Sequence, residues 1–347
     1  NNTTDMQIGP LSLEYRKMYM EKAIFSLKKP RKNGFLRSSF SSNYVLIENT
    51  LYDTLSVSAE VYNGGFQIAT NLHDKSNRYS FQLKGNGSVQ KKTANLYFTE
   101  TELKIYDQIW QLDRLARVNF KPNAIQIQNF LLADSTHFVQ IEGKISDFDT
   151  DTLHLDFGNI TPRVLTPFFA FHTFDSFGFS SYGNLDFCAL TDEPQFFGEL
   201  KINDITYQNQ PFGSVEASLS QTRELGKVDF RSIVRAGPMD RTRFNGAVQF
   251  KRGVAPQLSI TGSIPYGSKL NVLGPFLEGV ISIDSLARFG ADMRITGSAY
   301  KPIVKGLLQT NKFGVGIDYL GTTYSTGGNF KITETGLYTM RPLKFTD

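Results

Sequence analysis

The chain has 347 residues and a formal net charge of +4, and its basic residues are spread out rather than gathered in a stripe with interleaved aromatics. This pattern excludes an extended nucleic-acid-binding surface. The single cysteine, Cys188, excludes a disulfide framework or a cysteine zinc site within the chain. The 29 glycines, 29 phenylalanines and 15 tyrosines are instead typical of many short strands joined by frequent turns.

Residues 1–40 are the least regular part of the sequence, and we interpret them as lead-in strands around a basic loop. The basic cluster of this part consists of Lys28, Lys29, Arg31, Lys32 and Arg37. Two interpretations stay open for it. The cluster is either a solvated loop between strands or a surface that contacts lipid phosphates or an acidic partner.

From Tyr44 onward, apolar and polar residues alternate almost without interruption. Leu55, Val57 and Ala59 share one face, and the turn that ends at Gly65 leads into the next alternating run. Alternation at period two indicates strands with one apolar face, and a glycine-containing turn between two such runs indicates a hairpin. We therefore predict a first series of strands over residues 41–159.

Two segments interrupt this alternation. The first, residues 160–180, contains Pro162, Pro167 and six phenylalanines, and the second, residues 270–289, contains Gly274, Pro275 and a further apolar run. Proline removes a donor from the ladder of a strand. We predict a Phe/Pro-rich insert at 160–180 and a short helical insert at 270–289, each packed at the sheet.

Each insert precedes one copy of a repeated pattern, and the two copies are offset by 108 residues. The matching pairs are Pro194 with Pro302, Gly198 with Gly306, Leu200 with Leu308, and Gly213 with Gly321. Residues 181–269 are therefore predicted as a first repeat and residues 290–347 as a second. A glycine within such a strand indicates a bulge or a close approach of another backbone segment.

About twenty strands with one apolar face each can bury that face in a closed barrel, in two packed sheets or in a long curled sheet. The repeat at a fixed offset favours the third solution. The predicted fold is all-β, an elongated curled sheet that forms a U-shaped, solenoid-like groove with one or two short inserts. An open groove of this kind would expose an apolar trough, so we expect something apolar to occupy it.

Residues that could carry catalytic chemistry are few and isolated. His154 and Asp156 share a strand face without a third convergent group, and Ser26 with Lys29 fits an acyl-serine spacing but ends a β-like run. Cys188 has no nearby base and is expected to be an inert thiol. The sequence predicts no enzyme active site, no metal site and no cofactor.

The inward-facing apolar residues are the remaining candidate site. They are either a closed core or the lining of a lipid groove. In the latter case Leu308→Asp would leave the fold intact but interrupt the groove, and Thr310, beyond the apolar run, would tolerate an aspartate. The candidate lining residues are Leu185, Phe187, Leu200, Ile202, Ile205, Val215, Ala217, Leu219, Val248, Phe250, Leu258, Ile260, Met293, Ile295, Val304, Leu308, Phe313, Val315, Ile317 and Tyr319.

The stretch from Ser298 to Leu308, with its P-x-x-x-G pattern, and the stretch from Phe313 to Tyr324, with Asp318-Tyr319-Leu320 and Tyr324, resemble the C-terminal region of TamB-like proteins. The likeness is firmest at residues 290–326. Weaker similarities reach back to about residue 100. The family usually continues with further strands where this chain ends.

This resemblance implies a segment of an AsmA-like, bridge-like lipid transfer protein in the periplasm of a diderm bacterium. It implies an inner-membrane anchor outside this segment, phospholipid acyl chains as cargo, and an Omp85-type outer-membrane barrel protein, TamA-like or BamA-like, as partner. Three alternatives stay open. They are an assembly factor for outer-membrane proteins that works with such a barrel, a secreted or surface β-solenoid adhesin, and a polysaccharide-degrading β-helix enzyme, although the sequence contains no cluster of carboxylates for the last.

Overall fold

The computed structural model describes residues 4–15, 18–29, 35–47, 50–62, 64–148, 150–165, 176–190, 195–221, 226–251, 254–270, 281–317 and 321–340. The described residues form 24 strands and one short α-helix, with 81% of them in strands and 2% helical. All strand pairings in the described part of the chain are antiparallel. The predicted all-β class is therefore confirmed. The chain divides into two units, which are described separately.

Unit 1 comprises residues 1–172 and 186–192. Its elements are β1 (Thr4–Tyr15), β2 (Met18–Lys29), β3 (Leu36–Ser42), β4 (Tyr44–Ile47), β5 (Thr50–Tyr62), β6 (Gly65–Asp74), β7 (Tyr79–Gln90), β8 (Thr93–Ile105), β9 (Gln108–Leu112), β10 (Arg117–Lys121), β11 (Ala124–Ala133), β12 (Phe138–Ile145), β13 (Thr152–Ile160) and helix α1 (Pro162–Leu165). The strands form a meander in which neighbours along the chain pair with one another, except that β3 and β4 together take one position between β2 and β5, and β9 and β10 take one between β8 and β11.

Unit 2 comprises residues 173–185 and 193–347. Its strands are β14 (Phe177–Cys188), whose last residues belong to unit 1, β15 (Gln195–Tyr207), β16 (Gln210–Gln221), β17 (Lys227–Arg235), β18 (Arg243–Lys251), β19 (Val254–Lys269), β20 (Ile281–Ile283), β21 (Arg288–Ser298), β22 (Lys301–Ile317), β23 (Thr322–Thr333) and β24 (Gly336–Thr339). From β15 to β24 the strands pair in chain order, except that β21 takes the place beside β19 and β20 pairs with β22.

Two strand positions are interrupted by a four-residue turn that begins with an aspartate. In unit 1, β9 and β10 both pair with β8 and β11 and are separated by Asp113–Ala116. In unit 2, β20 and β21 both pair with β22 and are separated by Asp284–Ala287. The amide of Leu115 donates to Asp113 Oδ1 at 2.7 Å, and that of Leu286 donates to Asp284 Oδ1 at 2.9 Å. The same turn therefore interrupts a strand in each unit.

The predicted inserts fall partly outside the described residues. Within the first, β13 runs to Ile160, α1 occupies Pro162–Leu165 and β14 begins at Phe177, while residues 166–175 are not described. Of the second, residues 271–280 lie outside the described part of the chain. Its described end contains the strands β20 and β21 and no helix.

The 108-residue repeat has a counterpart in the register of unit 2. In β15 the pairing shifts between Ile202 and Ile205, and in β22 it shifts between Thr310 and Phe313, each 108 positions later. The predicted match of Gly213 with Gly321 is wrong. Gly213 lies within β16 opposite Ile205, whereas Gly321 is a turn residue before β23. Because β22 has 17 residues and β15 has 13, β23 begins later in the second copy than β16 does in the first.

Buried apolar clusters lie on one face of each sheet. Unit 1 contains a cluster built around Trp110, Ile105 and Tyr79, together with a second one around Phe98 and Val118. The cluster of unit 2 is built around Ala287, Phe289 and Phe313. Ala116 and Ala287, the last residues of the two turns, are 1% and 0% exposed, so each turn is anchored in a cluster.

Candidate functional site

The candidate site is the apolar face of each sheet, which the strand register defines. Directly paired residues of antiparallel strands point to the same face. In unit 1 the pairs join into one row that crosses nine strands and contains only apolar residues and glycine. The row consists of Leu36, Val61, Phe66, Gly87, Leu96, Val118, Ile127, Gly143 and Leu153.

In unit 2 a comparable row crosses seven strands. It consists of Gly198, Leu219, Phe230, Gly246, Ile260, Ile295 and Val304. Parallel rows above and below it contain further candidate residues predicted from sequence. The candidates that the register places on this apolar face are Leu200, Ile202, Val215, Ala217, Leu219, Val248, Leu258, Ile260, Met293, Ile295, Val304, Leu308, Phe313 and Val315.

The other candidates are placed less directly. Leu185 lies beside Gly198, and Phe187 and Phe250 continue the alternation of β14 and β18 on the apolar face. Ile205 pairs with Gly213 at the register shift. The side chain of Ile317 and the whole of Tyr319 lie outside the described residues.

The apolar face is covered at one end of its strands and open at the other. Along β7 in unit 1, Tyr79 is 7% exposed, and Val89 on the same face is 47% exposed. In unit 2, Ile264 of β19 is 7% exposed, and Phe250, which continues the apolar face of β18 at the opposite strand end, is 51% exposed. A sealed core would bury both ends of these strands, so each unit carries an apolar surface that is only partly covered.

Glycines on the apolar face allow close approach of neighbouring strands. A β-carbon at Gly306 would meet the carbonyl oxygen of Asp292 and lie 2.9 Å from the Cα of Met293. A β-carbon at Gly246 would meet Ser259 and Ile260 in the same way. The close approach predicted at Gly306 is therefore present. A side chain is excluded at these points because the strands converge on the apolar side.

The opposite face of unit 2 is polar and carries its own ion pairs. Arg235 lies 3.0 Å from Glu216, and Lys305 lies 2.5 Å from Glu334. A hollow of about 980 Å³ on β16–β19 is lined mostly by this face, including Ser218, Asp229, Arg231, Asn245, Gln249 and Ser259. A surface of this composition suits water or polar ligands, and the apolar face remains the better match for an apolar ligand.

The residues weighed for catalysis are not brought together. His154 lies 2.5 Å from Asp186 on an exposed surface of unit 1, so its nearest carboxylate is not Asp156. The Ser26 hydroxyl bonds that of Ser39 within strand pairing, and buried Cys188 has the Thr152 hydroxyl as neighbour at 3.5 Å. The described part of the chain contains no group of three or more side chains able to hold a metal ion.

The expectation for Thr310 is contradicted by its surroundings. Its side chain is only 7% exposed, donates to the carbonyl oxygen of Gly328 and accepts from its amide at 3.1 Å. An aspartate there would bury a carboxylate, so Thr310 is no tolerant site. Leu308 packs against the buried cluster around Phe289, so it too is a poor place to separate binding from folding.

The sequence interpretation missed two features. Apart from Phe187, its list of lining residues lies in unit 2, although the nine-strand row of unit 1 follows from the same alternation. It also overlooked the pattern D-x-L-A-R, which occurs at residues 113–117 and 284–288 and forms the two turns that interrupt strands. Such a short motif becomes visible only when the two stretches are aligned at an offset of 171.

No protein-family profile, no curated protein and no solved structure matches the chain. No helix of the described residues has the length and apolar character needed to cross a membrane. The resemblance to TamB-like proteins therefore stays a prediction from the sequence.

Proposed function

We propose that the chain is a segment of a TamB-like, bridge-like lipid transfer protein and that it binds phospholipid acyl chains on its apolar faces. The observation that carries this proposal is the continuous cross-strand row of apolar residues and glycine, open to solvent at one end of the strands. The role is one of binding and conveying, without catalysis. The proposed setting is the periplasm of a diderm bacterium, between an anchor in the inner membrane and an Omp85-type barrel protein.

The physical chemistry of such a surface suits acyl chains. Transfer of a 16-carbon chain from water to an apolar face is favourable by about 10 kcal/mol, at roughly 0.8 kcal/mol per methylene group. The cross-strand row that begins at Gly198 and ends at Val304 contains no charged residue, and the same is true of the rows beside it. An acyl chain that moves along them keeps most of this favourable free energy, and its polar head remains in water.

Photo-crosslinking at two adjacent residues tests this proposal. A photoreactive amino acid at Ile260, on the apolar face, should crosslink to lipid when the chain is expressed in a diderm bacterium. The same residue at Thr261, on the polar face, should crosslink far less. Native mass spectrometry of the purified chain should show bound phospholipid.

Two results would contradict the proposal. Equal crosslinking at both positions would remove the preference for the apolar face, and a purified chain free of lipid would remove the cargo. The second result would favour the adhesin alternative, in which no lipid is held.

A further inference from the structure

The strand ends of unit 1 form two rims, and one of them is basic. The hairpin tips between β2 and β3, β7 and β8, and β10 and β11 all lie at the same rim, because an even number of antiparallel strand positions separates each tip from the next. We call the lysines at these tips the basic rim: Lys29, Lys91, Lys92 and Lys121. The sequence-predicted basic cluster contributes Lys29 to it, and Arg31 and Lys32 lie outside the described residues.

The tips lie at unequal intervals along the sheet, because the β5–β6 tip between the first two contains no lysine. With about 4.8 Å between neighbouring strands, the β7–β8 tip lies roughly 20 Å and the β10–β11 tip roughly 30 Å from the β2–β3 tip. The lysines therefore extend over the length of several lipid headgroups. The next tip, between β12 and β13, carries Asp147 and ends the basic rim.

These lysines are available to a ligand. All four are exposed, and none forms an ion pair within the part of the chain that the structure describes. Lys121 has only a 3.5 Å hydrogen bond to the Gln126 side chain. The neighbouring Lys28 lies 3.7 Å from Asp5, with both side chains largely exposed.

Exposed apolar side chains lie directly inside the basic rim, on the apolar face. Val61, Val89 and Phe120 are 46%, 47% and 39% exposed. Val61 belongs to the row from Leu36 to Val118, and Val89 and Phe120 each lie two residues beyond a member of that row on the same face. Lysines at the edge of an exposed apolar surface match the two layers of a bilayer surface, with anionic headgroups outside and acyl chains beneath.

The opposite rim of unit 1 is built differently. Its turns use their carboxylates internally: Asp74 accepts from the amide of Tyr79, and Asp134 accepts from the amide of His137. The apolar cluster around Trp110 covers the face at this end. The apolar face of unit 1 is therefore covered at this end and open at the basic rim, where lysines and exposed apolar side chains lie together.

We propose that unit 1 docks through its basic rim on a bilayer surface that contains anionic phospholipid. Charge complementarity selects the headgroups, and Val61, Val89 and Phe120 enter the interfacial layer. Docking in this orientation would place the open end of the apolar face against the bilayer. The proposal goes beyond acyl-chain binding and names the surface from which the chains would enter.

Vesicle flotation of the full chain tests the docking. We expect binding to phosphatidylcholine vesicles with about 30% phosphatidylglycerol, weak binding to pure phosphatidylcholine, and a marked loss at high salt because surface charge is screened. The variant Lys91→Glu/Lys92→Glu/Lys121→Glu should bind the anionic vesicles about 100-fold more weakly. The variant Lys91→Gln/Lys92→Gln, with a smaller change of charge, should fall between this variant and the unmodified chain.

The matched control is Lys75→Glu/Arg78→Glu/Lys104→Glu, which makes the same change in net charge at the opposite rim of unit 1. It should bind like the unmodified chain. An equal loss in this control, or equal binding of the unmodified chain to neutral vesicles, would overturn the docking proposal. Binding of a fluorescent fatty acid without vesicles reports on the apolar face alone, so it separates a failure of docking from a failure of acyl-chain binding.

Discussion

Gly198 and Gly306 make the same contact with the preceding strand, 108 residues apart. A β-carbon at Gly198 would meet the carbonyl oxygen of Asn184 and lie 2.9 Å from the Cα of Leu185. One at Gly306 would meet that of Asp292 and lie 2.9 Å from the Cα of Met293. The contacted residues are also 108 positions apart. The repeat is therefore a repeat of strand geometry, and glycine is required because neighbouring strands converge there.

Replacement of Gly306 by alanine is expected to lower the free energy of unfolding by about 1–3 kcal/mol, because a methyl group would push against the backbone of β21. Urea denaturation of the purified chain measures this loss. The matched control is Gly314→Ala in the same strand, where the nearest atom to an added β-carbon is the Thr323 methyl group at 3.6 Å. A loss at Gly314 as large as that at Gly306 would contradict the account of strand convergence.

The apolar face of unit 2 offers a test of lipid binding away from its buried cluster. Val248 pairs with Val228 and Leu258 and is not part of that cluster. Val248→Asp should leave β-sheet circular dichroism unchanged and should lower the amount of co-purified phospholipid several-fold, since a charged group would meet the acyl chains. Gln249→Asp, on the polar face of the same strand, should retain its lipid. Cooperative unfolding of Val248→Asp would instead favour a closed core.

The two interrupting turns should respond alike to loss of their aspartates. Asp113→Ala and Asp284→Ala each remove the acceptor of a turn amide, so each should cost about 1 kcal/mol in the free energy of unfolding. Asp284→Asn keeps an acceptor oxygen and should cost less. Thermal denaturation of the single variants and of the double variant measures these losses. A loss confined to one of the two turns would show that they are not equivalent.

Strand alternation predicted much of the fold, because it depends only on neighbouring residues. The period-two pattern of Val248 or Ile260 reveals their face without knowledge of the partner strand. Pairing between distant parts of the chain was harder to predict. The match of Gly213 with Gly321 failed because β22 is longer than β15. A fixed sequence offset aligns equivalent residues only while the two hairpins have the same length.

Parts of the candidate site depend on pairing and were not predictable from local patterns. The grouping of Lys91 and Lys121 with Lys29 on one rim follows only when the strands between them are counted in the correct order. The interruption at Asp113–Ala116 is also non-local, because it is stabilised by Ala116 entering a cluster with Phe98. Alternation alone predicts only that the strand pattern is broken in this stretch.

Because Asp134 and His137 form a buried pair, we expect the free energy of unfolding to change with pH in the acidic range. Asp134 Oδ1 accepts from the amides of Thr136 at 2.6 Å and His137 at 2.7 Å, and its Oδ2 lies 2.8 Å from His137 Nδ1. Burial raises the pKa of Asp134, but the two amides and the His137 side chain outweigh burial and hold this pKa below its ordinary value of 3.8. The imidazole also stacks on Trp110, with ring centroids 5.5 Å apart.

Because the pKa of Asp134 is lower in the folded state, the free energy of unfolding should fall as the pH is lowered. The ionised carboxylate stabilises the fold fully above pH 3.8, and this contribution is lost as the pH falls through the lower native pKa. Asp134→Asn should therefore reduce the free energy of unfolding by about 1–3 kcal/mol at neutral pH and by clearly less near pH 2. Urea denaturation at both pH values measures the difference.

The exposed Asp107, paired with Arg163 at 3.0 Å, supplies the control, and Asp107→Asn should change the free energy of unfolding by under about 1 kcal/mol. A cost of Asp134→Asn that is independent of pH would contradict the role of its charge.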